Sequence, residues 1–519
     1  MSATTLTEPA GASRAAPIAS REKQVVAALT LLALLLRVTS LSRSLFTDEA
    51  YSLALAQRGF GHMFGLFAYE ANGTPYPIVL WPLIRIFGTS ETLLRLPAVL
   101  AGTASVPALW WAARRYTAPA AALVAAALLA VNPMAVFYSQ FARPYALVVL
   151  AACLAFGALP RALEGSNRGP WAGYVLAMAL LAYCDILAAP IAIPAQALIA
   201  RRAGPVAFRR WLLSLGALVV CCVPLLIAAA IAHSRRNALY WLPKPDRSLV
   251  TLAVQEFTGG FSEVSAVRWA TIAAGAVLVG GALWTLRRAR RGSEPRAALA
   301  IAIGWGILPA VLLLVVSFAR PLFWPRYAII ALPGLCLLFA VAGARLWASR
   351  RGLLAAVAAL AVIALASLLA DVRQRDKLQE NWPPAAAWLR AERSTSQPII
   401  LDNILLLPVL GYYDPAFRAP GGEVEVQEWH DRPLPANVVG FKDPGGYGAV
   451  RDGPPSAAEI AALARRGAGT VWMLTAGFDK ELQGDPRTGA AVGWARAHCP
   501  VQTRESVGVW VMRASSCRG

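Results

Sequence analysis

"QVVAALTLLALLLRVTSLSRSLFTDEAYSLA", residues 24–54, holds an apolar run and then, a few residues beyond it, two adjacent acids, Asp48 and Glu49. A helix needs roughly 20 apolar residues to cross about 30 Å of hydrocarbon. The run from 24 to 41 meets that need with one ionisable residue inside it, Arg37. Similar runs recur from residue 24 to residue 371 and then stop. With 57% hydrophobic residues, 15% charged residues and a mean hydropathy of +0.52, the composition is that of a polytopic membrane protein.

The formal charge of +20 raises nucleic acid as a partner, but the basic residues fall in short loops between apolar runs, as in "ARR" (113–115) and "RRARR" (287–291). That is the pattern of cytoplasmic loops under the positive-inside bias, so nucleic acid is excluded. Residues 1–22 read as a cytoplasmic tail before an uncleaved first helix. From there the crossings run 24–41, 93–113, 118–138, 145–160, 171–187, 188–200, 211–231, 266–286, 297–317, 327–344 and 353–370, eleven in all, with each strongly basic loop inside. The segment 74–88 is short and carries three prolines, so whether it crosses stays open.

This register places residues 23–371 in a transmembrane domain with external loops at 42–92 and 232–265. The outer face then collects Asp48 and Glu49, "YSQFARPY" (138–145), the turn at Asp185, and "RPLFWPRY" (320–327). From 372 to 519 the acids, prolines and glycines rise and β-type runs such as "PIILD" (398–402) and "VGVWVMR" (507–513) alternate with helical pattern. The expectation is a soluble α/β domain on the periplasmic side of an inner membrane. Of seven cysteines, five lie in apolar runs as small buried hydrophobes. Cys499 and Cys517 bracket "PVQTRESVGVWVMRASS", in which "RESVG" reads as a turn between two strands, and a disulfide between them suits an oxidising compartment.

"TDEAYSLALAQ" (47–57) reads as a short external helix with Thr47 as N-cap and both acids in its first turn. Acids are favoured there by the helix dipole alone, and the same field keeps a carboxylate ionised and ready to take a proton from an alcohol. Arg143 in "FYSQFARPYALV" (137–148) is flanked by Tyr138, Gln140 and Tyr145. Its fork fits an anionic oxygen pair such as a phosphate, and it also fits a snorkelling anchor. Arg320, Arg326 and Tyr327 stand at the same depth, where interfacial aromatics are common.

The order "DEAYS", "TPYPIVLW", "RLPAVLAG", "FYSQFARPYAL" and "RYAIIALP", after a first helix with an internal arginine, resembles glycosyltransferase family 39 over residues 24–390. These are GT-C-type membrane enzymes, related to protein O-mannosyltransferases and to the lipid A aminoarabinose transferase. The resemblance implies a helical membrane enzyme that moves a sugar from a polyprenyl-phosphate donor to an acceptor hydroxyl on a lipid, glycan or protein at the outer face, with inversion. It implies Asp48 as the catalytic base with Glu49 beside it, Arg143, Arg326 and Arg320 on the donor phosphate, and Tyr51, Tyr138, Gln140, Tyr145, Asp185 and Tyr327 as substrate contacts. No cofactor is required, and a divalent cation is compatible. Two departures bear on the substrate: Phe141 stands where the family often has Glu, and "YCD" (183–185) replaces a common "THY", leaving Asp185 as a substitute carboxylate or a turn cap. A lipid-linked sugar transporter is the alternative, but its ionisable groups belong near the bilayer midplane, and here all but Arg37 cluster at one surface.

Overall fold

The computed structural model describes residues 19–58, 75–165, 167–235, 242–259, 294–346, 380–401, 403–418, 437–439, 455–476 and 486–517, with a few positions between 269 and 287. The expected crossings 266–286 and 353–370 lie mostly or wholly outside the described residues. The first helices are α1 (Ser20–Arg37), α2 (Thr47–Gln57), α3 (Pro75–Phe87), α4 (Glu91–Ala113), α5 (Pro119–Val131), α6 (Pro133–Ser139) and α7 (Tyr145–Glu164). They are followed by α8 (Arg168–Cys184), α9 (Ala188–Arg202), α10 (Pro205–Arg235), α11 (Arg247–Gly259), α12 (Glu294–Gly306), α13 (Leu308–Ala319) and α14 (Leu332–Leu346). Among the described residues four helical segments are long and apolar enough to cross a membrane, and two bent pairs, α5 with α6 and α12 with α13, bring the number to six.

The breaks have local causes. Asn132 precedes Pro133 and is extended, as a residue before proline prefers, so the predicted span 118–138 bends by 56° there. Ending a helix inside the packed bundle strands carbonyls, and Arg37 takes them: its guanidinium donates to the carbonyls of Leu129 (3.2 Å) and Ala130 (2.9 Å) and to Ser139 Oγ (3.0 Å). Gly102 makes room, since a Cβ there would lie 3.1 Å from Arg37 Nε and overlap Ser139 Oγ. The predicted span 327–344 is kept as one span, Pro325–Gly343, but opens on a different helix type. Residues 325–331 form a 3-10 turn behind Trp324–Pro325, and Trp305 Nε1 donates to the Ile330 carbonyl at 3.1 Å. Segment 74–88 is a single helix, α3, whose buried side faces α2. The loop 232–265 contains α11, capped by Asp246 Oδ1 on Leu249 N–H at 2.8 Å.

The C-terminal part carries α15 (Trp382–Glu392), α16 (Leu407–Tyr413), α17 (Ala457–Arg466), α18 (Pro486–His498) and strands β1 (Ile399–Leu401), β2 (Val438–Val439), β3 (Val471–Ala476), β4 (Val501–Ser506) and β5 (Val509–Ala514). The sheet order is β2-β1-β3-β5-β4, with β1 parallel to β2 and β3, and β5 antiparallel to β3 and β4. Strand periodicity gives the sheet two dry faces. Met473, Met512 and Ala514 meet α17 and α18 on one of them. Leu401, Trp472 and Val511 face the other way, into a core shared with Trp382 and Trp388 of α15 and with residues of α2, α3 and α4. The domain is therefore seated on α2 and α3 and on the start of α4 through a continuous apolar layer.

Cys499 and Cys517 are bonded across the ends of the β4–β5 hairpin, their Cα atoms 4.3 Å apart, and Gly508 makes the turn at φ +67°. Peptide mapping without reduction is expected to recover residues 499 and 517 as one linked species; both cysteines alkylated without prior reduction would contradict the bond.

Candidate active site

Glu49 and Arg95 form the centre around which the expected site residues are placed. Glu49 is fully buried and accepts four hydrogen bonds: Oε1 from Arg95 Nε (2.8 Å) and Ala142 N–H (2.7 Å), Oε2 from Arg95 Nη2 (2.6 Å) and Phe46 N–H (3.0 Å). Arg95 spends its other donors on the carbonyls of Leu41, Arg43 and Ser44. A carboxylate offers about four acceptor sites and a guanidinium five donors, so both groups are saturated. Glu49, expected beside the base to orient acceptor or base, braces α2 against α4 and the loop before α7.

Thr47 also differs from expectation. The helix begins at Thr47, with Phe46 in the N-cap position, and both the N–H (2.9 Å) and the hydroxyl (2.6 Å) of Thr47 donate to Glu380 Oε2. Trp382 Nε1 donates to the same oxygen at 2.8 Å. Burial pushes the Glu380 carboxyl up to about 7, against the opposing pull of these donors. Trp382 N–H on Ser44 Oγ (3.1 Å) and Leu45 N–H on the Tyr413 hydroxyl (2.7 Å) complete the hold of the C-terminal domain on the start of α2.

With its neighbour locked, Asp48 projects from the first turn with its side chain 35% exposed and Oδ2 3.9 Å from Arg326 Nη1. Arg326 stands over the rings of Tyr145 (5.9 Å) and Tyr327 (5.6 Å). Tyr145 is the common neighbour, within electrostatic reach of Arg326, Arg143, Asp48 and Asp185 and packed against Tyr138 with ring centroids 4.8 Å apart. These segments thus converge on one acid and two arginines lined by tyrosines.

Other expected contacts fall elsewhere. Gln140 is buried, and its amide N–H groups donate to Leu36 O (3.0 Å) and Thr39 O (2.9 Å), so it ties α6 to α1. Tyr51 is buried in the core under α2. Arg320 is exposed at the end of α13, outside the packed group. Asp185 is buried and accepts from Leu187 N–H at 2.9 Å, so it caps the turn between α8 and α9 while standing near Tyr145. Three residues given no role by the sequence, Arg95, Glu256 and Glu380, belong to the assembly. "RLPAVLAG" did point to Arg95, but as a marker of order rather than as a partner for Glu49.

Such a site, on the ends of bent helices under a seated α/β domain, defines a polytopic membrane protein of the GT-C architecture. The family model described as dolichyl-phosphate-mannose-protein mannosyltransferase matches residues 75–228. Over 96% of this chain and 99% of the other, the structure is similar to ArnT from Cupriavidus metallidurans in the apo state, at TM-score 0.58 and 14% identity. The same protein bound to undecaprenyl phosphate matches at TM-score 0.54 and 15% identity over 96% of this chain and 98% of that one. The oligosaccharyltransferase of Archaeoglobus fulgidus tethered with an acceptor peptide matches at TM-score 0.54 and 14% identity over 94% of this chain and 73% of that one. No curated protein sequence matches the chain. At these identities the likeness is one of fold, and the chain has the GT-C fold.

Removing the Glu49 carboxylate leaves Arg95 buried and uncompensated, at a cost of roughly 3–5 kcal/mol. Glu49→Ala is expected to lower the unfolding temperature of the detergent-purified protein sharply, whereas Asp48→Asn leaves it unchanged. Equal melting of wild type and Glu49→Ala would remove the brace from the account.

Proposed function

We propose that the protein is an inverting glycosyltransferase that moves a sugar from a polyprenyl-phosphate donor to an acceptor hydroxyl at the outer face of the inner membrane. The observation that carries this reading is the Asp48–Arg326 pair at 3.9 Å, set on the aromatic ring of Tyr145 with Arg143 beside it. The solved relative whose title records undecaprenyl phosphate supports the donor class. The archaeal relative tethered to an acceptor peptide supports group transfer to a second substrate on this fold.

The chemistry follows from the two charges. Asp48 takes the acceptor proton as the acceptor oxygen attacks the anomeric carbon. The bond from that carbon to the phosphate oxygen breaks, and its electron pair leaves with the lipid phosphate. Arg326 and Arg143 offset the charge that grows on that oxygen. Before the donor arrives, Arg326 leans on Asp48, and a phosphate competing for the guanidinium weakens that hold. A singly esterified lipid phosphate carries less charge than a nucleotide diphosphate, so arginines suffice, and a divalent cation is compatible without being required. The acceptor is a lipid, glycan or protein hydroxyl. A transporter reading loses its one midplane candidate, because Arg37 is committed to helix carbonyls.

In a deletion strain, mass spectrometry of envelope lipids and glycans is expected to show one missing sugar, restored by the wild-type gene. Asp48→Asn should restore less than about 1% of it, in line with loss of a general base, and Arg326→Lys should restore part, keeping charge without the planar fork. Restoration by Asp48→Asn to within tenfold of wild type would exclude Asp48 as the base.

Orientation is tested separately. A cysteine introduced in "DPGGYG" (443–448) is expected to react with an impermeant maleimide once the outer membrane alone is permeabilised. Reaction only after inner-membrane lysis would reverse the topology.

A further inference from the structure

Glu256 lies on α11, in the external loop, and is 4% exposed. Its buried neighbours on the helix are Leu249, Ala253 and Phe257, so the acid belongs to the inward face rather than to the solvent stripe. The helix is latched in place by Asn132, whose Nδ2 donates to the Phe257 carbonyl at 3.3 Å while its Oδ1 caps α6 through Ala135 N–H at 3.0 Å. One side chain therefore fixes α11 against α6, the helix that carries Tyr138. The other element packed on α11 is the 3-10 turn that carries Arg326 and Tyr327.

In this setting Glu256 Oε2 is fully buried and meets no hydrogen-bond partner among the described residues. A buried carboxyl oxygen left unpaired costs free energy, and a ligand that pairs with it recovers that cost. The groups that act on Glu256 are Arg326 on the turn and Tyr138 on α6, and Arg326 is the one charge that acts on it among the described residues. Arg326 is thus within electrostatic reach of two acids, the exposed Asp48 and the buried Glu256.

The geometry points to Glu256 as a donor-binding residue whose protonated carboxyl gives a hydrogen bond to an oxygen of the polyprenyl phosphate held by Arg326. This rests on the donor class proposed above. Inversion needs the attacking hydroxyl and the leaving phosphate on opposite faces of the anomeric carbon. Asp48 serves the first, and the phosphate is then held by Arg326 with Glu256. The proton stays on Glu256; its hydrogen bond strengthens as charge collects on the leaving oxygen. Burial supplies the protonated form, pushing this carboxyl up to about 8 in spite of Arg326.

The sign of the pH effect follows. Glu256 is protonated below about pH 8 and donates; above it the carboxylate repels the phosphate. The second ionisation of a phosphate monoester lies near pH 6, so between pH 7 and 9 the ligand charge is nearly constant. The test is binding of undecaprenyl phosphate to the full-length protein in nanodiscs of neutral lipid. Wild-type affinity is expected to fall about tenfold from pH 7 to pH 9, one unit beyond the midpoint. Glu256→Gln, which keeps an N–H donor and cannot ionise, should bind within about threefold of wild type at pH 7 and lose the pH dependence. Glu256→Leu should bind at least about fivefold more weakly at pH 7. A pH dependence that persists unchanged in Glu256→Gln, or a wild-type profile that is flat, would overturn the assignment. Failure of the wild type to bind undecaprenyl phosphate at any pH would instead remove the donor class itself.

Discussion

The bidentate contact between Arg95 and Glu49 decides how the acid-bearing turn of the site is set. Two opposite charges withdrawn from water are stabilising only when each remaining lone pair and proton finds a partner. Here the partners are backbone groups of two separate segments: the carbonyls of Leu41, Arg43 and Ser44 with the N–H of Phe46 in the link after α1, and the N–H of Ala142 before α7. The pair therefore works as a template. It folds the link after α1, starts α2, and draws in the bend before α7, leaving Asp48 as the one acid of the helix turn that can meet a substrate.

The site is assembled from interruptions of regular structure. Pro133 ends α5 early, Pro325 tightens the approach to α14, and Pro144 precedes α7. Each break exposes polar backbone inside an apolar bundle, which is tolerable only where side chains satisfy it. Arg37, Asn132 and Trp305 do so. Tyr138, Arg143 and Arg326 all lie within a turn or so of such breaks, so the features that weaken the helices as spans are those that bring chemistry to their ends.

Much of this architecture was legible in the sequence. Apolar run length gave the helical membrane class, and the change of composition after residue 371 marked the α/β part. The β-type run "VGVWVMR", nearly continuous in apolar residues, fits a strand with two dry faces, and the hairpin pattern placed Cys499 opposite Cys517. The roles of neighbours were less legible. Asp48 and Glu49 are adjacent and chemically alike, and only the partner on α4 distinguishes the exposed acid from the braced one. Gln140 sits in the same motif as Tyr138 and Arg143, yet helical geometry turns it to α1. Glu256 and Glu380 carry no motif: one lies on a helix inside a loop read as irregular, the other at the domain boundary, and their meaning depends on contacts 70 and 333 residues away in the chain. Periodicity reports which face is buried; it does not report what lies across from it.

Thr47 takes its helix-capping acceptor from Glu380, 333 residues downstream, and that acid is positioned in turn by the last hairpin, where Asn381 N–H donates to the Val507 carbonyl at 2.8 Å. During synthesis the membrane helices and α2 emerge long before these residues exist. Contacts of such sequence separation form late, after the intervening chain has been ordered. A nascent or truncated chain inserted in the membrane would then hold its lipid-facing helices without a finished acid-bearing turn. Completion of the far end of the polypeptide is thus what finishes the first turn of α2.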